Sequence, residues 1–183
     1  NGRKNALTLM SVGSGTQISH VQVVESAGDG VEIRGGSVNM DHLLVEDSTG
    51  DALYYEQGYL GQIQFAGLVQ GFRSQGLALK GRTSSVSVTP DRISSPLLSN
   101  ITLVGDGGSN DIVQLLDRGG LYLTNSVFTV TDEFSQANTC VNVEAGVTDF
   151  LGDMSIPSVF FGIEKTLFDC AFLGTGSTTN DSL

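Results

Sequence analysis

Apolar and polar residues alternate along this chain over short runs of three to five positions, as in Val21/Val23, Val31/Ile33 and Val38/Met40, and clusters of Gly, Ser and Asp interrupt the runs. Such alternation predicts half-buried β-strands, and the interruptions predict turns. The runs also recur. From Ile18 onward the chain reads as three copies of one unit, ISHVQVVESAGDGVEIRGG, MDHLLVEDSTGDALYYEQG and FAGLVQGFRSQGLALKG. Superposing the copies sets His20 on His42 and Gly67, Val21 on Leu43 and Leu68, and Val31 on Leu53 and Leu77. The steps, 22 residues from His20 to His42 and 25 from His42 to Gly67, fall in the range of solenoid repeats, and runs this short exclude helical repeats.

Three alternating runs per copy, each bounded by turn residues, predict a coil of three strands. Such coils cannot bury their inward faces alone and must stack, so the expected fold is an all-β, right-handed parallel β-helix. About seven coils of about 25 residues, at about 4.8 Å between strands, would span about 35 Å. One domain over residues 1–183 is expected, with a first coil over 6–18, irregular insertions at about 81–97 and 146–164, and a polar tail at 174–183. The second insertion holds Phe150, Leu151, Met154, Phe160 and Phe161, too apolar for a solvated loop, and reads as an irregular coil or a flap over the stack.

Later copies extend two columns. LSNITLVGDGGSNDIVQLLDRGG, LTNSVFTVTDEFSQANTCVNVEAG and LFDCAFLG put Asn100, Asn125 and Asp169 where His20 and His42 stand. His, Asn and Asp tolerate positive φ, so His20, His42, Asn100, Asn125 and Asp169 are expected to form a corner ladder. Arg34, Glu56 and Lys80 occupy one place in three consecutive copies and are expected to form a ladder of alternating charge.

The stretch VGSGTQISHVQVVESAGDGVEIRGGSVNMDHLLVEDSTGDALYYEQGYLGQIQF, residues 12–65, resembles the right-handed parallel β-helix superfamily, the pectate-lyase-like group. Within it the chain is similar to secreted bacterial β-helix surface proteins and lipoproteins. The resemblance implies the fold and an extracellular setting. Lyases of the group use clustered Asp with Arg or Lys, often with calcium, and that set does not map residue by residue onto this chain.

Charge narrows the partners. A formal charge of −11, with 20 acids against 9 bases, argues against binding nucleic acid or an anionic membrane through a basic surface. No apolar run approaches the roughly 20 residues that span a bilayer. The chain opens at Asn1 rather than Met, as expected of a processed chain. Cys140 and Cys170 lack metal-ligand spacing and fit either one disulfide in an oxidising compartment or two buried thiols.

The candidate chemistry gathers in the first copies. Asp29 falls over Asp51 with Asp47 nearby, so these carboxylates are candidate calcium ligands, and Asp29 with Asp51 is the candidate acid/base pair of a polysaccharide lyase or hydrolase. Turn chemistry explains the same Asp-Gly and Gly-Asp pairs. His20 and His42 would stack, but as a metal pair they lack an evident third ligand. Tyr54 points outward if Leu53 points in, which makes it a candidate platform for a sugar ring. The expected function is a non-catalytic structural or assembly subunit of a cell-surface layer or filament, self-associating through coil ends or edges. A polysaccharide-active enzyme and a carbohydrate-binding or adhesin module are the alternatives.

Overall fold

The computed structural model describes residues 2, 4–71, 74–83, 93–105, 111–130, 139–143 and 161–173, with backbone alone for residues 161 and 171–173. The alternating runs become strands: β1 (Leu7–Val12), β2 (Gln17–Val24), β3 (Val31–Gly36), β4 (Asn39–Glu46) and β5 (Leu53–Glu56). They continue as β6 (Gln62–Val69), β7 (Leu79–Arg82), β8 (Leu97–Gly105), β9 (Val113–Leu116) and β10 (Leu121–Thr124). The last are β11 (Val127–Val130), β12 (Thr139–Val143), β13 (Phe161–Glu164), β14 (Leu167–Phe168) and β15 (Ala171–Leu173). No helix occurs among the described residues.

Each strand pairs in parallel with the strand one turn later rather than with its neighbour in sequence. β1, β3, β5, β7, β9, β12 and β15 form one sheet in that order; β2, β4, β6, β8, β10 and β13 form a second, and β11 pairs with both β8 and β14. The long strands β2, β4, β6 and β8 each bend once, at His20, His42, Phe65 and Asn100, where φ is 58, 54, 56 and 57°. In later turns Asn125 (φ 51°) separates β10 from β11, and Lys165 (φ 50°) separates β13 from β14. Two limbs and a separate sheet therefore give three faces around one core, a parallel β-helix. Of the expected insertions, residues 84–92 and 146–160 lie outside the described residues, as does the tail at 174–183; residues 161–164 are strand β13.

The corner column departs from the sequence expectation at two places. Gly67 faces Leu44, and Phe65, two positions earlier, takes the corner. Asp169 lies past Phe168; its N–H donates to Phe128 O at 3.0 Å, and the corner of that turn is Lys165. The charge ladder shifts likewise. Arg34 lies opposite Glu56 (Nε–Oε1 3.2 Å), but Lys80 lies opposite Tyr54, and its Nζ is 3.9 Å from Asp51 Oδ2. A slip of two residues keeps every side chain on its own side of a straight strand, and at a bent one it exchanges only the two residues at the corner, Phe65 and Ala66, so alternation alone does not fix the register.

Packing decides the register instead. Inward positions form columns: Leu7, Val31, Leu53, Leu79, Val113 and Val141 on one face, and Val23, Val45, Leu68, Leu103, Phe128 and Phe168 on another. Full burial of each such side chain contributes about 1.5–3 kcal/mol. In the column running from Ile33 through Tyr55, the next position is Gly81. A Cβ there would stand 2.2 Å from the Tyr55 hydroxyl, which donates to Gly120 O at 2.7 Å. Tyr55 is fully buried, so only a residue without a side chain fits opposite it. Farther along, Cys140 and Cys170 form a disulfide with their Cα atoms 5.4 Å apart. Closing a loop over a sequence separation of 30 contributes about 3–4 kcal/mol in the chain-entropy model.

A second column ties the turns ahead of β3, β5 and β7. Asn5 Oδ1 accepts from Asp29 N (2.8 Å), Asp29 Oδ1 from Asp51 N (2.9 Å), and Asp51 Oδ1 from Leu77 N (2.8 Å). Burial pushes the Asp29 and Asp51 carboxyls above the usual range, against the opposing pull of these N–H groups. A carboxyl whose pKa is raised on folding holds its proton more readily in the folded state. Its ionisation therefore costs stability above the folded-state pKa, and that cost is relieved as pH falls through the folded-state pKa toward the unfolded value of 3.8. An amide can fill this rung, as Asn5 does. Asp51→Asn is thus expected to raise the melting temperature at neutral pH and to flatten the gain in stability on acidification, measured by thermal denaturation across pH. A lower melting temperature at neutral pH would show that the charge itself holds the turn.

Candidate functional site

The outward positions of the first limbs repeat a four-residue pattern that ends at the corner: Gln17-Ile18-Ser19-His20, Asn39-Met40-Asp41-His42, Gln62-Ile63-Gln64-Phe65 and Leu97-Leu98-Ser99-Asn100. The second residue of each points inward, because the strand alternates. The first and third point out, and parallel register stacks them into two columns spaced by about 4.8 Å. Between the columns and the turn at Ser14 and Gly15 runs a groove of about 350 Å³, lined by Gln17, Asn39, Asp41, Gln62, Gln64 and Ser99 among others. That volume suits a small organic ligand or a few units of a chain.

The upstream end of the groove is tightly bonded. Asp41 Oδ2 accepts from Gln17 Nε2 at 3.1 Å, and Oδ1 accepts from Ser19 Oγ at 2.6 Å. Oδ1 also lies 2.7 Å from His42 Nδ1. Hydrogen bonds from Ser19, His42 and Gln17 pull the Asp41 carboxyl down to about 2, so it is anionic at neutral pH. Farther along, the side-chain amides of Gln62 and Gln64 have no partner among the described residues and face the groove. In the next turn Tyr122 follows Leu97 in column, 37% exposed, with its hydroxyl donating to Glu164 Oε1 at 3.2 Å.

The corner forms the rim. His20 and His42 rings stack at 4.4 Å with 7° between their planes, and Phe65 follows His42 at 5.2 Å. Phe65 is 49% exposed although it is a large aromatic, because positive φ at the corner aims its side chain away from the core. The corner residues Asn100 and Asn125 continue the column, the Asn125 amide donating to Asn100 Oδ1.

The other candidates stand elsewhere. Asp29 and Asp51 each give one oxygen to a backbone N–H in the turn column, and Asp47 Oδ1 accepts from Gly71 N at 2.9 Å. Tyr54 points outward on the β1–β3–β5 face, half-buried, with its hydroxyl on Glu56 Oε2 at 2.6 Å. Burial first, and Glu56 second, push the Tyr54 phenol well above its ordinary value. One convergent set of metal-ligating groups occurs among the described residues: His20, Asp41 and His42, each with a ligand atom within 4.8 Å of the others. Asp41 is the third metal-ligating group beside the two histidines, one that the sequence left unassigned. Its signal was present, since the residue before each corner faces the same side as the corner's neighbour one coil away.

No curated protein and no solved structure matches this chain. A family model described as the pectate-lyase-like beta helix domain matches residues 1–161. That match covers most of the chain and agrees with the parallel sheets, the three faces and the stacked columns. The chain belongs to the pectate-lyase-like β-helix domain family.

Proposed function

We propose that this β-helix binds a glycan of neutral sugars along the groove of the first limbs, without turning it over. The observation that carries the reading is the pair of outward columns. Amide, hydroxyl and carboxylate groups repeat there at the strand spacing, comparable to one sugar unit of an extended chain, beside the exposed ring of Phe65. Amides and hydroxyls answer sugar hydroxyls, and an aromatic face answers the apolar face of a sugar ring. Among the described residues the lining holds Asp41 and no Lys or Arg, and the chain carries a charge of −11, so polyuronates are disfavoured. Binding is favoured over hydrolysis or elimination because Asp29 and Asp51 each give an oxygen to the backbone, in turns away from the groove. The Cys140–Cys170 disulfide supports an extracellular setting.

A second reading, assembly by end-to-end stacking, rests on the first turn. Leu7, Leu9, Ile18 and Val21 are only partly covered, whereas Val31, Ile33, Met40 and Leu43, one turn on, are buried. A further rung, from the same polypeptide or from another copy, would complete their burial. Light scattering over a concentration series tests it: association that Leu9→Glu abolishes supports stacking, and a constant monomer mass removes it.

For the glycan reading, affinity electrophoresis in gels of neutral polysaccharides and of polygalacturonate is the direct test. Retardation by a neutral glycan is expected, weakened roughly tenfold by Gln64→Ala or by Phe65→Asn. Asn is chosen because it already occupies this corner at Asn100. Retardation by polygalacturonate alone, or release of reducing or unsaturated ends, would overturn it.

A further inference from the structure

Glycan binding leaves the paired histidines unexplained, since sugar recognition needs neither a second imidazole nor a carboxylate fixed between the two. His20 and His42 stand one strand apart at matching corners, φ 58 and 54°, so their Cα–Cβ bonds leave the backbone in the same direction. Their rings are nearly parallel, with both Nδ1 atoms directed at one small region. Ser19 Oγ joins that region from one side, 2.5 Å from His20 Nδ1 and 2.6 Å from Asp41 Oδ1; His42 Nδ1 closes it at 2.7 Å from the same carboxylate oxygen. Three good ligand atoms thus converge on a common hub now bridged by hydrogen bonds.

We propose that His20, Asp41 and His42 bind one divalent transition ion of the Zn²⁺, Cu²⁺ or Ni²⁺ class at the rim of the groove. Two imidazoles and one carboxylate make a donor set of the kind these ions prefer. Ligand atoms around a tetrahedral Zn²⁺ lie about 3.4 Å apart, given bonds of about 2.0–2.1 Å. The present spread of up to 4.8 Å closes by small ring rotations, and His42 is free to make them because its side chain is 52% exposed. The carboxylate is already oriented: Gln17 holds Oδ2, leaving Oδ1 for the ion, an outer-shell support of the usual kind. The ion would displace the hydrogen bonds at the hub, with Ser19 Oγ or water completing the coordination. Calcium is excluded from this set by its preference for oxygen donors.

Asparagine provides a fold-neutral control, because Asn100 and Asn125 hold the same corner at φ 57 and 51°. Titrating tag-free full chain with Cu²⁺ or Zn²⁺ by calorimetry is expected to show one equivalent bound, with nitrogen couplings from two imidazoles in the Cu²⁺ electron paramagnetic resonance spectrum. His20→Asn, His42→Asn and Asp41→Asn are each expected to lower affinity at least tenfold while leaving the metal-free melting temperature within a few degrees. Uptake unchanged in the His20→Asn/His42→Asn double variant would overturn the assignment, as would no uptake by the unmodified chain. Glycan binding is not needed for this readout, so the two proposals fail separately.

Discussion

Everything in this molecule depends on the parallel hydrogen-bond register between one turn and the next. Each strand finds its partner not through a local hairpin but some twenty residues further along, and the chain closes three faces before it returns. No turn can bury its own inward side chains, so the core exists only as columns, and a column is defined by register alone. The same register that stacks Leu7, Val31, Leu53 and Leu79 inside stacks Gln17, Asn39 and Gln62 outside. Core and site are two faces of one alignment.

This coupling explains why polar groups of the turns are recruited so heavily into structure. Asn5, Asp29 and Asp51 relay one backbone N–H per turn, and Tyr59 sends its hydroxyl to Val38 O at 2.9 Å from within the core. Buried polar atoms must be paired, and in a solenoid the partner stands one rung away. In the groove the exposed side chains of Gln62 and Gln64 have no partner among the described residues, while Asp41 is bonded by Gln17, Ser19 and His42. Both features carry the proposals made above: the exposed amides that of a glycan, and the three convergent ligand atoms that of a cation.

Much of the fold was legible in the sequence because alternation and turn residues are local signals. The strands, their parallel stacking and the corner role of His20, His42, Asn100 and Asn125 follow from spacing and from the tolerance of these residues for positive φ. The register of the third copy was not legible. Reading FAGLV with the corner at Gly67 or at Phe65 keeps Ile63 and Leu68 inward and exchanges only the sides of Phe65 and Ala66, and reading LALKGR with Lys80 or Arg82 opposite Glu56 leaves its alternation unchanged. The deciding term is three-dimensional: the Tyr55 ring needs the empty position that Gly81 supplies. Asp169 went astray for a similar reason, since Lys165 has no marked preference for the corner and takes it only because Glu164 and Leu167 are fixed by Thr124 and Val127. The groove was half-visible. Its amides and hydroxyls recur at fixed offsets from the corner, but they become a site only when the turns are set in register.

Cysteine cross-linking tests that register most directly, because a disulfide forms readily only between Cα atoms roughly 4.4–6.8 Å apart. With Lys80→Cys as the common partner, Tyr54→Cys/Lys80→Cys is expected to oxidise readily and to give a linked peptide on mass spectrometry, while Glu56→Cys/Lys80→Cys is not. Preferential linkage of the Glu56 pair would contradict the stacking on which both the core columns and the groove rest.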